Sequence, residues 1–139
     1  MNEIWLATQG AMAVVGGFLG WYQGGIDGAL YALIAFVAID YLTGLMCAIA
    51  DKKLSSHAGF SVIAQKVLIF VLVGVGHVVD AYIIGEGSAL RMAVVFFYLS
   101  NEGLSILENA AYLGLPFPEK LVEVLAKLNK KKDEDSDGV

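Results

Sequence analysis

Four long apolar runs dominate this chain and restrict what it can fold into. Each approaches or exceeds the roughly 20 residues that an α-helix needs to cross the hydrocarbon layer of a membrane. They are Ile4 to Tyr22, Ala29 to Ala50, Val62 to Ile84 and Ala89 to Leu115. Only 17% of the residues are charged, and the short connections left over cannot enclose a soluble core. The sequence therefore predicts an all-α, polytopic membrane protein and argues against an enzyme.

The connections between the runs predict the topology. Gly24-Gly25 and Gly85-Glu86-Gly87 are turn signals typical of tight helical hairpins, and the middle connection is basic. A four-span arrangement with both termini in the cytoplasm places eight of the nine basic residues inside, in agreement with the positive-inside rule. Those eight are Lys52, Lys53, Lys66, Lys120, Lys127, Lys130, Lys131 and Lys132. We thus expect a multi-pass protein of a bacterial cytoplasmic membrane.

The first run leaves an alternative open. Gln9 and four glycines would also permit residues 4–22 to lie along the membrane interface, which would give three spans instead of four. The same run contains Gly16, Gly20 and Gly24 at intervals of four residues. This small-residue pattern allows close approach of helices in lipid, within one chain or between chains.

The segment after Leu115 has a different character. Pro116 and Pro118 end the preceding helix, because proline lacks an amide hydrogen and restricts the residue before it. Residues 116–130 are predicted to contain a short amphipathic helix on the cytoplasmic side, with leucines and a valine on one face. Residues 131–139 are predicted to be a disordered charged tail.

Several kinds of partner find no support in the composition. Cys47 is the only cysteine and lies inside an apolar run, so it forms neither an intrachain disulfide nor a metal cluster. The net charge of −5 comes largely from the acidic tail, and no basic patch suggests nucleic-acid binding. We predict no cofactor, no metal and no nucleic acid. The expected partners are membrane lipid and further copies of the chain.

Ionisable residues inside the runs need a physical reason, since each costs about 2.5 to 3.5 kcal/mol at the centre of a membrane helix. Asp40 and Glu102 are predicted close to mid-membrane, so they must be protonated, paired within the bundle or exposed to water. The other intramembrane ionisable residues are Lys66, His77, Asp80, Arg91 and Glu108. Counting from the span ends predicts two ion pairs, Asp80 with Arg91 and Lys66 with Glu108.

The fourth run carries a polar stripe at helical spacing. Its members are Arg91, Tyr98, Asn101, Glu102, Ser105, Glu108, Asn109 and Tyr112. The stripe is interpreted in one of two ways: as a polar seam inside the bundle of one subunit, or as a seam between subunits that becomes the wet wall of an oligomeric hole.

Linked blocks of the sequence resemble the phage lysis and toxin-release holin family of Gram-positive phages and clostridial toxin loci. The blocks are Asp40 to Gly44, Lys52 to Ser56 with Gly59-Phe60 and Lys66, His77 and Asp80, Arg91 with Phe96 to Tyr98, Asn101 to Asn109, and Gly114 with Pro116, Pro118 and Leu121. The resemblance covers residues 29–128 and fades in the first run and the tail.

The resemblance implies a protein without catalytic residues that accumulates in the host cytoplasmic membrane, oligomerises and opens lesions. An endolysin or a toxin would then leave the cell, without necessarily contacting the protein. The alternative function is a small ion channel or proton-coupled transporter that uses Asp40, His77 and Glu102 as a proton relay. An inverted internal repeat would favour a transporter, and the sequence shows none.

Overall fold

Four helices account for nearly all of the computed structural model, which describes residues 2–116 and 118–120 together with Glu123 and Lys127. The helices are α1 (Asn2–Tyr22), α2 (Gly28–Ala50), α3 (Ser56–Val79) and α4 (Ala89–Tyr112). A π-helical turn, Asp80–Ile84, extends α3. The described residues contain no strand, and all four helices are long and apolar enough to cross a membrane. The predicted all-α membrane fold is thus confirmed. The predicted amphipathic helix at 116–130 and the tail at 131–139 lie largely outside the described residues.

Capping residues, rather than the ends of the apolar runs, decide where the helices begin. α3 begins at Ser56, six residues before the predicted span, because the Ser55 hydroxyl accepts the amide hydrogen of Ala58. The Asp27 carboxylate caps α2 in the same way by accepting the Leu30 N–H at 2.9 Å. Residues 57–61, which the sequence analysis places in the connection between the second and third runs, therefore form the first turns of α3.

Three of the helices form a bundle. α2 and α4 run parallel and make the most extensive contact, while α3 runs antiparallel to both. Six buried apolar side chains form its core: Leu30, Leu33, Val37, Ile69, Val73 and Val95. Because lipid is as apolar as these side chains, their close packing and the polar contacts between helices hold such a bundle together.

The fourth helix, α1, stands apart from this bundle. None of its residues is buried, and residues 2–19 are exposed on all faces of the helix. Only its last turn contacts the bundle, where the Tyr22 ring packs directly on Gly74 and its hydroxyl donates to the Val71 carbonyl at 2.9 Å. The Trp21 and His77 rings also meet edge to face, with centroids 6.5 Å apart.

The glycine pattern of α1 meets no partner in the part of the chain that the structure describes. A Cβ atom built on Gly16 or Gly20 would meet no other atom within 4 Å. Gly24 lies beyond the end of the helix with a φ of +83°, so it does not continue the predicted helical stripe. It is a loop residue whose missing side chain leaves space for His77 and Arg91, because a Cβ there would lie 2.7 Å from His77 Nδ1.

Candidate functional site: a buried charge cluster and a polar face of α4

Three ionisable side chains, one from each helix of the bundle, meet in its interior. Lys66 donates hydrogen bonds to Asp40, and to the two carboxylate oxygens of Glu102 at 2.7 and 3.0 Å. Asp40 and Glu102 are only 6% and 4% exposed. We call these three residues the charge cluster. It links α2, α3 and α4 through the Lys66 ammonium group.

Neutral side chains complete the cluster. Asn109 of α4 donates from its Nδ2 to an Asp40 carboxylate oxygen at 3.0 Å and to the Thr43 hydroxyl at 2.9 Å. Thr43 in turn donates to the Asp40 carbonyl at 3.1 Å. The Cys47 thiol lies 3.5 Å from the Asn109 carbonyl. The carboxylate of Asp40 is therefore held from two sides, by α3 and by α4.

The predicted ion pair between Lys66 and Glu108 is wrong. Lys66 lies ten residues after the start of α3 at Ser56, which is roughly 15 Å along the helix axis, and not within its first turns. At that depth it reaches Asp40 and Glu102. The sequence prediction counts membrane depth from Val62, which lies six residues after the true start of α3. For the same reason it places Lys66 among the charges that flank the span on the cytoplasmic side.

A cleft reaches the charge cluster from the α2–α3 connection. It has a volume of about 290 Å³, and Lys53 and Ser55 lie at its mouth while Asp40, Lys66 and Ser105 lie along its walls. The Lys66 side chain is 17% exposed, more than either of its partners. Of the three possibilities left open for Asp40 and Glu102, the structure supplies pairing within the bundle, with a polar cleft beside the pair.

The second buried cation, Arg91, ties the loop between α1 and α2 to α4. Its guanidinium group donates to the Gln23 and Gly25 carbonyls and to the Asp27 carboxylate, the last at 2.7 Å. The Arg91 side chain is 3% exposed, whereas that of Asp27 is 50% exposed. We call this set the Arg91 junction. It joins α1, α2 and α4 at the end of the bundle opposite the α2–α3 connection.

Asp80 and Arg91 lie next to each other as predicted, but their side chains do not form the predicted ion pair. The buried Asp80 carboxylate accepts the backbone N–H groups of Leu90 and Arg91, at 3.1 and 2.8 Å. It thus caps the start of α4 from the preceding π-helical turn, where unpaired amide hydrogens favour a negative charge. The guanidinium group pairs with Asp27 instead.

Asp27 lies in a loop outside the spanning helices, where its ionisation is shifted. The hydrogen bond from Arg91 lowers the pKa of this carboxyl below its usual value, and the amide of Leu30 acts in the same direction. Asp27 therefore stays ionised in acidic conditions that would protonate a free aspartate. Its charge is available to the junction throughout the physiological range.

The three residues predicted to form a proton relay do not form one group. Asp40 and Glu102 meet in the charge cluster, whereas His77 lies eleven residues, or roughly 16 Å, further along α3 than Lys66. His77 packs instead against Trp21 and lies beside Gly24. This separation argues against the relay. Within the described residues, no group of three His, Cys, Asp or Glu side chains is arranged to hold a metal ion.

The polar stripe of α4 divides into two faces. Arg91 and Glu102 are buried, and Tyr98, Ser105 and Asn109 are half-buried against the other helices. Asn101 and Glu108 are exposed on the outside of the bundle, and no hydrogen bond joins either side chain to another described residue. Tyr112 is also exposed, and its hydroxyl donates to Asp51 near the end of α2. The seam inside one subunit therefore applies to the inner residues, whereas the seam between subunits stays a prediction for the exposed ones.

Sequence reasoning missed Asp27, Thr43 and Gln23 as partners in these networks. Asp27 did carry a signal, since it lies two residues before the second apolar run, where a helix cap is expected, and on the same side of the membrane as Arg91. No sequence signal pointed to the backbone carbonyls of Gln23 and Gly25 as acceptors, because every residue has a backbone carbonyl group. Gln23 also leaves its own Oε1 buried without a partner among the described residues, while its Nε2 donates to the Phe70 carbonyl.

Comparison with known proteins adds independent information. The family model described as bacteriophage holin family matches residues 17–130. The chain belongs to the bacteriophage holin family. This holin-family chain is similar to an uncharacterized 14.9 kDa protein in the nagH 3′ region of Clostridium perfringens, with 41% identity over 81% of the chain and 85% of that protein. It is also 38% identical to an uncharacterized protein of Listeria monocytogenes, over 88% of the chain and 86% of the relative. No solved structure matches the chain.

Proposed function

We propose that this protein is a holin, which oligomerises in the bacterial cytoplasmic membrane and opens lesions that release an endolysin or a toxin. Membership of the bacteriophage holin family supports this function. The proposal needs a surface that is polar enough to line water and that a single subunit leaves uncovered. The outer face of α4 offers such a surface.

The exposure of Asn101 and Glu108 carries the proposal. Asn101 lies twelve residues after the start of α4, roughly 18 Å along the helix, and so near mid-membrane. A polar side chain at this depth that faces lipid is costly, and it marks a contact with another helix or with water. Asn101, Glu108 and Tyr112 follow one another at spacings of seven and four residues, so they form one line along α4. We call this line the outer polar face.

The two interpretations of the stripe can be combined in one mechanism. In the resting state the outer polar faces of neighbouring subunits pair with each other, away from lipid. When subunits accumulate or the membrane potential falls, the faces turn to water and coat a hole. The field is strong enough to matter, because moving one charge across the membrane is worth about 2.3 kcal/mol per 100 mV.

The orientation follows from charge. Lys52 and Lys53 lie in the α2–α3 connection, and Lys120, Lys127 and Lys130 follow α4. Lys66 lies inside the bundle, so it is not one of the basic residues that flank the spans. The flanking lysines then all lie on one side of a four-span arrangement. We infer that this side is the cytoplasm and that both termini lie there. The cleft to the charge cluster would then open toward the cytoplasm, and the Arg91 junction would lie near the outer surface.

Inducible expression in a bacterial host tests the proposal. Growth, membrane potential and release of a folded cytoplasmic reporter enzyme are followed in the same time course. We expect abrupt growth arrest, depolarisation and reporter release. Depolarisation without release of the folded reporter would point to a small channel instead, and unimpaired growth despite membrane accumulation of the protein would rule out a holin.

A pair of variants tests the outer polar face within the same assay. Replacing both Asn101→Leu and Glu108→Leu removes the two polar groups of this face that pair with no described residue, without touching the buried contacts. We expect this variant to reach normal levels in the membrane but to release little or no reporter. The control is Phe96→Leu, a conservative change at an exposed apolar position on another face of α4, which should behave like the wild type.

A further inference from the structure

The composition of the charge cluster leaves it with an unbalanced charge. Two carboxyl groups share a single ammonium group, so full ionisation gives the cluster a net charge of −1. A net charge in the interior of a membrane bundle is costly, and burial and a neighbouring like charge both favour protonation of a carboxylate. One added proton makes the cluster neutral.

Among the described residues, the groups next to the cluster do not supply a second buried positive charge. Asp40 faces the cluster from α2, Lys66 from α3 and Glu102 from α4, while the half-buried Ser105 and Asn109 are neutral. Two further titratable groups line the cleft, namely Tyr41 from α2 and Lys53 from the α2–α3 connection. Lys53 is exposed at the mouth, where water screens its charge.

The geometry favours a proton over a metal ion. The Lys66 ammonium group already occupies the space between the two carboxylates, at 2.7 and 3.0 Å from the oxygens of Glu102. A bound cation would need several oxygen ligands around itself, and the described residues contain no group arranged to provide them. A proton needs only one carboxylate oxygen and a route to water, which the cleft from the α2–α3 connection offers.

We propose that the charge cluster is a site for one exchangeable proton, which reaches it through the cleft between α2 and α3 and which keeps α4 packed in the bundle. With the proton bound, the neutral cluster links the three helices. When the proton leaves, Asp40 and Glu102 repel each other across one ammonium group, and the contact of α4 with α2 weakens. The role of this proton in the opening of lesions rests on the proposed holin function. The existence of the proton site does not depend on that function.

Infrared difference spectroscopy measures the proton directly. The full-length chain is reconstituted in vesicles of phosphatidylethanolamine and phosphatidylglycerol, and the C=O stretch of protonated carboxyl groups is followed as the pH is raised. Exposed carboxyl groups are already ionised above about pH 6. We expect the wild type to keep a protonated carboxyl band above this pH and to lose it at alkaline pH.

Three variants make the test specific. Glu102→Gln and Asp40→Asn each leave one carboxylate for one ammonium group, so both should lack the band. Glu108→Gln removes an exposed carboxyl group from the same helix and should keep it. Persistence of the band in both cluster variants, or its absence from the wild type, would overturn the proposal.

Release of an encapsulated dye from the same vesicles connects the proton to function. The wild type should release dye faster at alkaline than at neutral pH, whereas Glu102→Gln should be slow and independent of pH. A wild-type band without release in any protein would leave the proton site standing and remove the holin function. Identical pH profiles of release in the wild type and in Glu102→Gln would overturn the role of the proton in opening.

Discussion

The bundle of α2, α3 and α4 and the separate helix α1 are both apolar, but they are held in place very differently. The bundle has a packed core, and its buried ionisable groups are bonded between helices. α1 has no buried residue, and it is attached only through its last turn and the loop that follows. Hydropathy alone would treat the four helices as equivalent.

The difference teaches that close packing and polar contacts, rather than apolar character, distinguish these two regions. In lipid an apolar helix gains little by leaving the hydrocarbon for another apolar surface, so packing quality and hydrogen bonds decide what associates. The charge cluster secures the bundle, and the Arg91 junction secures the attachment of α1. Four substitutions test this division, beginning with the one that should have the largest effect.

Lys66→Met should destabilise the bundle most. It leaves Asp40 and Glu102 buried without their shared cation, and removal of one partner from a buried ion pair typically costs about 3–5 kcal/mol. Thermal unfolding in detergent, followed by circular dichroism, measures the loss. The matched control is Lys53→Met at the exposed mouth of the cleft, where we expect almost no change. Equal unfolding midpoints for the two variants would show that the cluster does not hold the bundle.

Arg91→Ala should release the loop that joins α1 to α2. It deprives Asp27 and two backbone carbonyls of their donor, and hydrogen bonds to charged groups contribute about 1.5–3 kcal/mol each. We expect a loss of about 2–3 kcal/mol, because water can hydrate part of this exposed loop.

The position of α1 gives a second measurement for the same variant. In a Trp5→Phe background the only remaining tryptophan is Trp21, next to His77, and its fluorescence should change when α1 detaches. Arg91→Lys should restore the spectrum only in part, since a single ammonium group cannot bridge the same set of acceptors. Full restoration by lysine would mean that charge alone makes the junction.

Gly74→Ala should detach the last turn of α1 while leaving the bundle folded. A Cβ atom at this position would lie 1.9 Å from the Tyr22 ring, so the ring must move. Overpacking of this kind costs about 1 kcal/mol or somewhat more. Trp21 fluorescence should change, and the unfolding midpoint should fall by less than in Arg91→Ala. Gly16→Ala, where no atom lies within 4 Å, serves as the control and should change neither signal.

Asp27→Asn should have the smallest effect, and that effect should depend on pH. Asparagine still caps α2 but cannot pair with Arg91 as an ion. Since Asp27 is half exposed, we expect a loss of about 1 kcal/mol or less at neutral pH.

The pH dependence has a defined sign. Because Arg91 lowers the pKa of Asp27 in the folded protein, the contribution is fully present above the unfolded pKa of about 3.9. It disappears as the pH falls through the lower folded value. The stability difference between the wild type and Asp27→Asn should therefore shrink in acid, and a difference that grows there would contradict the assignment.

The site could be predicted only in part, as two residues illustrate. The sequence predicts that Glu102 lies within the membrane and needs a partner, because its depth follows from its place in an apolar run. It pairs Lys66 with Glu108 instead, because the third apolar run begins six residues after the true start of α3. The rotation of each helix about its own axis could not be predicted either, because successive side chains along a helix point about 100° apart. This rotation separates the exposed Asn101 from the buried Glu102 beside it.

The sequence by itself determined that the chain forms four long apolar helices, roughly where the connections between them lie, and which polar residues cannot be left in lipid. These properties depend on runs and spacings along one helix, where composition decides. Only the tertiary structure decided that α1 stands outside the bundle, that one lysine serves two carboxylates, and that the polar stripe of α4 has a bonded inner face and an open outer one. Such contacts depend on how deep each helix lies and how it is rotated about its axis. A shift of a helix by one residue changes both, so that different side chains meet.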